Sequence, residues 1–106
     1  MDRHRLAEER SLAYHRTIAD KLARDPEILE RARMRVAAWL ERSPPPHYAR
    51  AWSAVLARPL PDLVRFLLDE GDAARELRQS TPFAGALPPC ECRRIWREVA
   101  VRRGAA

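Results

Sequence analysis

Apolar residues recur along this chain mostly three and four positions apart, which is the period of one face of an α-helix. No stretch alternates with the two-residue period of a β-strand. The pattern therefore predicts an all-α fold that begins with helices over about 3–24 and 26–42. The two predicted apolar faces comprise Leu12, His15, Ile18, Ala19 and Leu22 on the first helix, and Leu29, Ala32, Val36, Trp39 and Leu40 on the second.

Prolines and small polar residues indicate where the helices begin and end. Asp25 before Pro26 is typical of a cap followed by proline at the first helical position, and Asp62 is predicted to cap a fourth helix. Because Ser43-Pro44-Pro45-Pro46 cannot continue a helix, it predicts a short, stiff spacer. The helices expected after this spacer cover about 47–57, 62–71, 72–77 and 89–103.

The length of 106 residues supports one domain with a single modest core. We expect a single helical domain over 1–106, folded as a compact bundle of about six short helices. Its predicted parts are two long N-terminal helices over 1–42, short helices over 47–80, and a loop with a basic C-terminal helix over 81–103. Because no apolar run reaches the roughly 18 residues of a membrane span and the start is charged, we expect a cytoplasmic protein without a membrane partner.

The positive charge is concentrated at the end of the chain. The sequence holds 20 basic and 15 acidic residues, for a net charge of +5. Over residues 93–106, however, five arginines face a single acid, whereas the two signs are interspersed before that point. These arginines are candidates for contacts with phosphates, and a merely solvated helix face is the alternative. They are Arg93, Arg94, Arg97, Arg102 and Arg103.

The fourth and fifth predicted helices have the outline of a helix-turn-helix. In that motif Arg75, Arg78 and Gln79 would face nucleic acid. The turn between the helices is acidic, with Asp69-Glu70-Gly71-Asp72 at the place where phosphates would lie. Since like charges repel there, an ordinary helical hairpin is the favoured interpretation.

Two groups of residues are weak candidates for catalysis or metal binding. His15 lies one helical turn after Ser11, but it sits in an apolar stripe without a visible oxyanion pocket, so a structural histidine is favoured over a catalytic one. Cys90 and Cys92 form a CxC pair that lacks the further ligands of a zinc site. We therefore predict a protein that is not an enzyme, with no catalytic residues, no metal and no cofactor.

Several stretches carry a resemblance that covers nearly the whole chain. They are Arg10-Ser11 with His15-Arg16 and Ile18-Ala19, Asp25-Pro26, the segment LRQSTPFAG over 77–85, and Arg94-Ile95-Trp96-Arg97. Together they resemble a group of small bacterial helical proteins, some of which are antitoxin members of toxin–antitoxin-like pairs. Members of that group often carry Ser or Thr before the proline that starts the last helix, where this chain has Pro88.

Together with this resemblance, the lack of a catalytic set in a small domain with many aromatic and arginine residues favours an antitoxin-type interaction protein that binds and neutralises a co-encoded, toxin-like protein. Because aromatic residues and arginine are enriched at protein interfaces, we expect Phe83, Trp96 and Arg97 to bind that partner. Operator DNA is left open as a second partner, as is a homodimer. The alternative hypothesis is a stand-alone nucleic-acid-binding protein that uses the five arginines of the basic C-terminal helix.

Overall fold

The computed structural model describes residues 3–104 and contains six α-helices within that range. No β-strand occurs between residues 3 and 104. The predicted all-α fold of about six helices is therefore confirmed. The helices are α1 (Arg3–Leu22), α2 (Pro26–Leu40), α3 (Ala49–Leu56), α4 (Leu60–Leu67), α5 (Asp72–Arg78) and α6 (Pro89–Arg102).

Helix α1 is the element against which most of the others pack. It contacts α2, α4, α5 and α6, while α3 packs on α2 and the short helices α3, α4 and α5 contact one another in sequence. The body measures 44 × 30 × 24 Å along its principal axes. Within residues 3–104, no helix is both long and apolar enough to cross a membrane.

Much of the core comes from the apolar stripes that the sequence predicts, together with Ala13, Tyr14 and Ile28, which lie outside those stripes. Ile18, Val36 and Trp52 are buried, and each large apolar side chain removed from water contributes roughly 1.5–3 kcal/mol. Leu40 departs from the prediction, since it lies near the end of α2 and is 37% exposed. The largest fully buried side chains are Trp52, Phe83, Ile18, Leu56, Leu63, Leu67, His15 and Val99.

Of the two predicted helix caps, Asp25 does occupy the N-cap position of α2 before Pro26, whereas the predicted Asp62 cap of α4 is wrong. The Asp25 side chain makes no capping hydrogen bond, and only its backbone carbonyl accepts the N–H of Ile28, at 3.2 Å. Helix α4 begins at Leu60, two residues before Asp62, which instead accepts a hydrogen bond from Arg65 at 2.8 Å. In both helices a proline lies in the first turn; its fixed φ and missing N–H suit that position without help from a side chain.

Candidate functional site

The loop between α5 and α6 is fastened to the core and does not project from it. Phe83 is 1% exposed, and its ring meets the Trp52 ring edge-on at 6.3 Å between centroids. The Tyr14 hydroxyl donates to the Phe83 carbonyl at 2.7 Å, and Arg35 on α2 donates to the Ala84 carbonyl at 2.7 Å. The prediction that Phe83 itself touches a partner is therefore wrong, because its side chain belongs to the core.

His15, which lies on α1, holds this loop by a hydrogen bond. Its Nδ1 lies 2.7 Å from the Ser11 carbonyl oxygen and its Nε2 lies 2.8 Å from the Thr81 hydroxyl. Because a carbonyl can only accept, Nδ1 carries the proton and Nε2 accepts from Thr81, whose oxygen in turn accepts the Phe83 N–H at 3.1 Å. Burial lowers the pKa of His15 to about 4. Both ring nitrogens of a neutral His15 are thus engaged in holding the loop, which fits the structural interpretation.

Arg78 is also turned inward, although a helix-turn-helix would place it against DNA. The residue is 4% exposed, and its guanidinium donates to the carbonyls of Leu67 at 3.2 Å and Asp69 at 2.6 Å. Burial lowers its pKa from the ordinary arginine value. Arg78 therefore satisfies carbonyls at the end of α4, and the DNA-facing role considered for it does not fit this structure.

The outer face of α6 carries most of the predicted arginines. Arg93, Arg94, Arg97 and Arg102 are exposed, and Val101 among them is 70% exposed. Arg94 lies within ion-pair distance of Glu91 at 3.5 Å and Glu98 at 3.9 Å. The other three arginines have no hydrogen-bond or ion-pair partner in the described part of the chain. A groove of about 430 Å³ runs across this face, lined by Arg94, Arg97, Glu98, Val101 and Arg102.

Arg103 does not belong to that face. Its guanidinium bonds to Glu9 on α1 at 2.7 Å, and its side chain is only 17% exposed. The predicted nucleic-acid contact by Arg103 is therefore corrected to a role in holding α6 against α1. The helical period places residue 103 one turn after residue 99, on the packed side of α6. The sequence pattern could therefore have predicted that Arg103 faces the rest of the protein.

A concave surface lies where α1, α5 and α6 meet, and we call it the arginine cleft. It has a volume of about 530 Å³. Trp96 forms one wall, and the Arg10 guanidinium carbon lies 5.6 Å from the centroid of its ring. The sequence analysis missed this cleft because its side chains come from three helices. They are His4, Ala7, Glu8, Arg10, Ser11, Arg75, Arg78, Gln79 and Trp96.

The two cysteines lie apart from the cleft. Cys90 is exposed, and the Cys92 sulfur lies 3.9 Å from the Leu87 carbonyl oxygen. Within residues 3–104, no group of three or more His, Cys, Asp or Glu side chains is arranged to hold a metal ion. Cys92 instead packs against the core.

No protein family, curated protein or solved structure matches this chain. The resemblance to antitoxin-like proteins accordingly stays a prediction. The outer face of α6 and the arginine cleft are the two candidate functional sites.

Proposed function

We propose that this protein is a non-enzymatic interaction protein of the antitoxin type, which binds and neutralises a co-encoded partner protein. The supporting observation is the outer face of α6, where Val101 is 70% exposed among four exposed arginines. Arginine is enriched at protein interfaces, and burying the exposed Val101 against a partner would add a favourable apolar contribution. Arg97 lies on this face, and Trp96 lies beside it in the arginine cleft.

The charge of this face indicates what its partner looks like. Arg93, Arg97 and Arg102 have no acidic neighbour among the described residues that neutralises them, so an acidic surface would complement them. Such complementarity speeds encounter and excludes basic partners, while the apolar contact supplies the longer-lived part of the binding. We therefore expect an acidic partner protein with a small apolar recess for Val101.

Phe83 has an indirect role in this proposal. It lies in the loop that precedes α6, and its side chain is buried in the core. Substituting it would disturb binding through the fold rather than through a lost contact.

The proposal is tested by co-expressing the chain with the products of neighbouring genes. One of them is expected to copurify with the wild-type protein and to inhibit growth when expressed without it. Val101→Asp should weaken that complex by about tenfold or more, because it places a charge at the centre of the contact. Met34→Asp is the matched control, since Met34 is 64% exposed but lies on α2. Binding of no neighbour, or equal weakening by both variants, would contradict the proposal.

A second candidate function is nucleic-acid binding through the same face. It is favoured by the exposure of Arg93, Arg97 and Arg102 along one helix without ion-pair partners among the described residues. Three phosphate contacts predict that the logarithm of the association constant falls with the logarithm of salt with a slope of about −3. Fluorescence anisotropy with a labelled DNA duplex measures this slope.

The control for the nucleic-acid measurement is a charge reversal elsewhere. Arg97→Glu should reduce both the affinity and the salt slope, whereas Arg50→Glu, on the exposed side of α3, should change them much less. Equal effects of the two substitutions would show attraction to net charge alone. A salt-independent or absent signal would leave protein binding as the function of this face.

A further inference from the structure

The arginine cleft holds a donor that has no acceptor. The Nε of Arg10 is buried and has no hydrogen-bond partner among residues 3–104. A buried N–H without an acceptor costs free energy that a bound ligand would recover. Arg10 also has no ion-pair partner in the described part of the chain, and its guanidinium contacts the Trp96 ring.

The Trp96 ring lies beside the Arg10 guanidinium. At 5.6 Å from the ring centroid, the Arg10 guanidinium is within the range of a cation–π interaction. Such a contact limits the rotamers of a long side chain and so reduces the entropy lost when a ligand binds. The planar donor fork of arginine matches two oxygens of a phosphate or carboxylate.

The charge of the cleft favours a dianion. Three arginines line it, Arg10, Arg75 and Arg78, against one carboxylate, Glu8. Arg75 is held to Glu8 only loosely, at 4.0 Å. Although Arg78 already donates to two carbonyls, its positive charge still acts on the cleft. This excess of positive charge suits a phosphate monoester, which carries close to two negative charges near neutral pH, better than a single carboxylate.

The size and the neutral groups of the cleft also favour a phosphate monoester. Its volume of about 530 Å³ lies within the range of small-molecule sites, so the carbon skeleton attached to a phosphate would also fit. Ser11 and Gln79, which also line the cleft, add a hydroxyl and an amide that can donate to oxygen.

We infer that the arginine cleft binds the phosphate group of a small phosphate monoester, with Arg10 and Arg75 as its direct ligands. This site does not depend on the proposed antitoxin function, because Val101 and the arginines of the outer α6 face do not line it. Failure of one proposal therefore leaves the other standing.

The test uses nuclear magnetic resonance, in which arginine Nε–H groups give their own signals. Inorganic phosphate is titrated into the full chain at constant ionic strength, with acetate as the monovalent comparison. The Arg10 Nε–H signal is expected to shift with saturation at a Kd on the order of 1 mM for phosphate. Acetate carries only one charge, so it should bind at least about tenfold more weakly than phosphate.

Matched variants separate a built site from general attraction to positive charge. Arg10→Gln should weaken phosphate binding by about tenfold or more, whereas Arg97→Gln removes the same charge outside the cleft and should change it by less than about twofold. If Arg10→Gln does not fold, the exposed Arg75 supplies the second variant, and Arg75→Gln should also weaken binding several-fold. An unsaturable titration, equal binding of acetate, or equal effects of the cleft variant and Arg97→Gln would overturn the inference.

Discussion

Two regions of this molecule use arginine in opposite ways. Arg33, Arg35 and the buried Arg78 donate to the protein's own backbone carbonyls: Arg33 to Leu56 at the end of α3, Arg35 to the loop after α5, and Arg78 to the end of α4. On the outer face of α6, the arginines point to solvent. Helices α3 and α4 end without a glycine cap, and in each an arginine binds the carbonyl of the last helical residue, which has no partner within the helix.

This difference shows that the excess of basic residues has to be interpreted residue by residue. An excess of arginine suggests an anionic partner, but a side chain that satisfies a helix terminus contributes to folding and is withdrawn from binding. Side chains that are buried or bonded to the protein's own carbonyls should therefore carry stability, whereas the exposed arginines of the outer α6 face remain free for ligands.

The largest effect is expected from the tryptophans. Trp52 is fully buried and donates from Nε1 to the Leu77 carbonyl at 3.1 Å, whereas Trp96 is only partly buried in the cleft wall. Trp52→Ala should reduce the free energy of unfolding by about 4 kcal/mol, and Trp96→Ala by about 1–2 kcal/mol. Urea denaturation followed by circular dichroism measures both. Similar losses would show that Trp96 is as much a core residue as Trp52.

The second prediction concerns pH and His15. The unfolded chain takes up a proton on this residue near pH 6.5, while the folded chain does so only near the lowered pKa of about 4. The unfolded state therefore binds more protons between these values, and stability falls as the pH is lowered through this window. The expected loss is about 3 kcal/mol by pH 4.

Urea denaturation at a series of pH values measures that loss. His15→Gln should be less stable than wild type above pH 7, because it disturbs the bonds to Ser11 and Thr81. It should also lack the His15 contribution to the slope between pH 6.5 and 4. An unchanged slope in the variant would show that other groups cause the pH dependence.

The sequence predicted the helices better than it predicted the sites. Helix number and the buried positions Ile18, Val36 and Val99 follow from periodicity, which is local in the chain. The inward turn of Arg78 does not, because its acceptors at 67 and 69 belong to another helix. The arginine cleft was not predicted for the same reason, since Arg10, Arg75 and Trp96 come together only when α1, α5 and α6 pack.

Arg78 and Arg97 offer a direct comparison of the two kinds of arginine. Arg78→Met should reduce the free energy of unfolding by about 2 kcal/mol, because it leaves the Leu67 and Asp69 carbonyls without their charged donor. Arg97→Met, on the exposed face, should change it by less than about 0.5 kcal/mol. Chemical denaturation at pH 7.5 distinguishes them. If both changes are small, water replaces the guanidinium at the end of α4.

The smallest effect isolates one hydrogen bond that fastens the loop. Tyr14→Phe removes the hydroxyl that donates to the Phe83 carbonyl at 2.7 Å and should reduce the free energy of unfolding by about 1 kcal/mol. Tyr48→Phe is the matched control, since the Tyr48 hydroxyl has no hydrogen-bond partner among residues 3–104 and its ring contact with Trp39 is kept. Amide hydrogen exchange gives the sharper readout: Tyr14→Phe should speed exchange at residues 81–86 more than in α2. Uniform acceleration across the chain would mean that the loop opens only when the whole protein unfolds, and that this bond stabilises the fold as a whole.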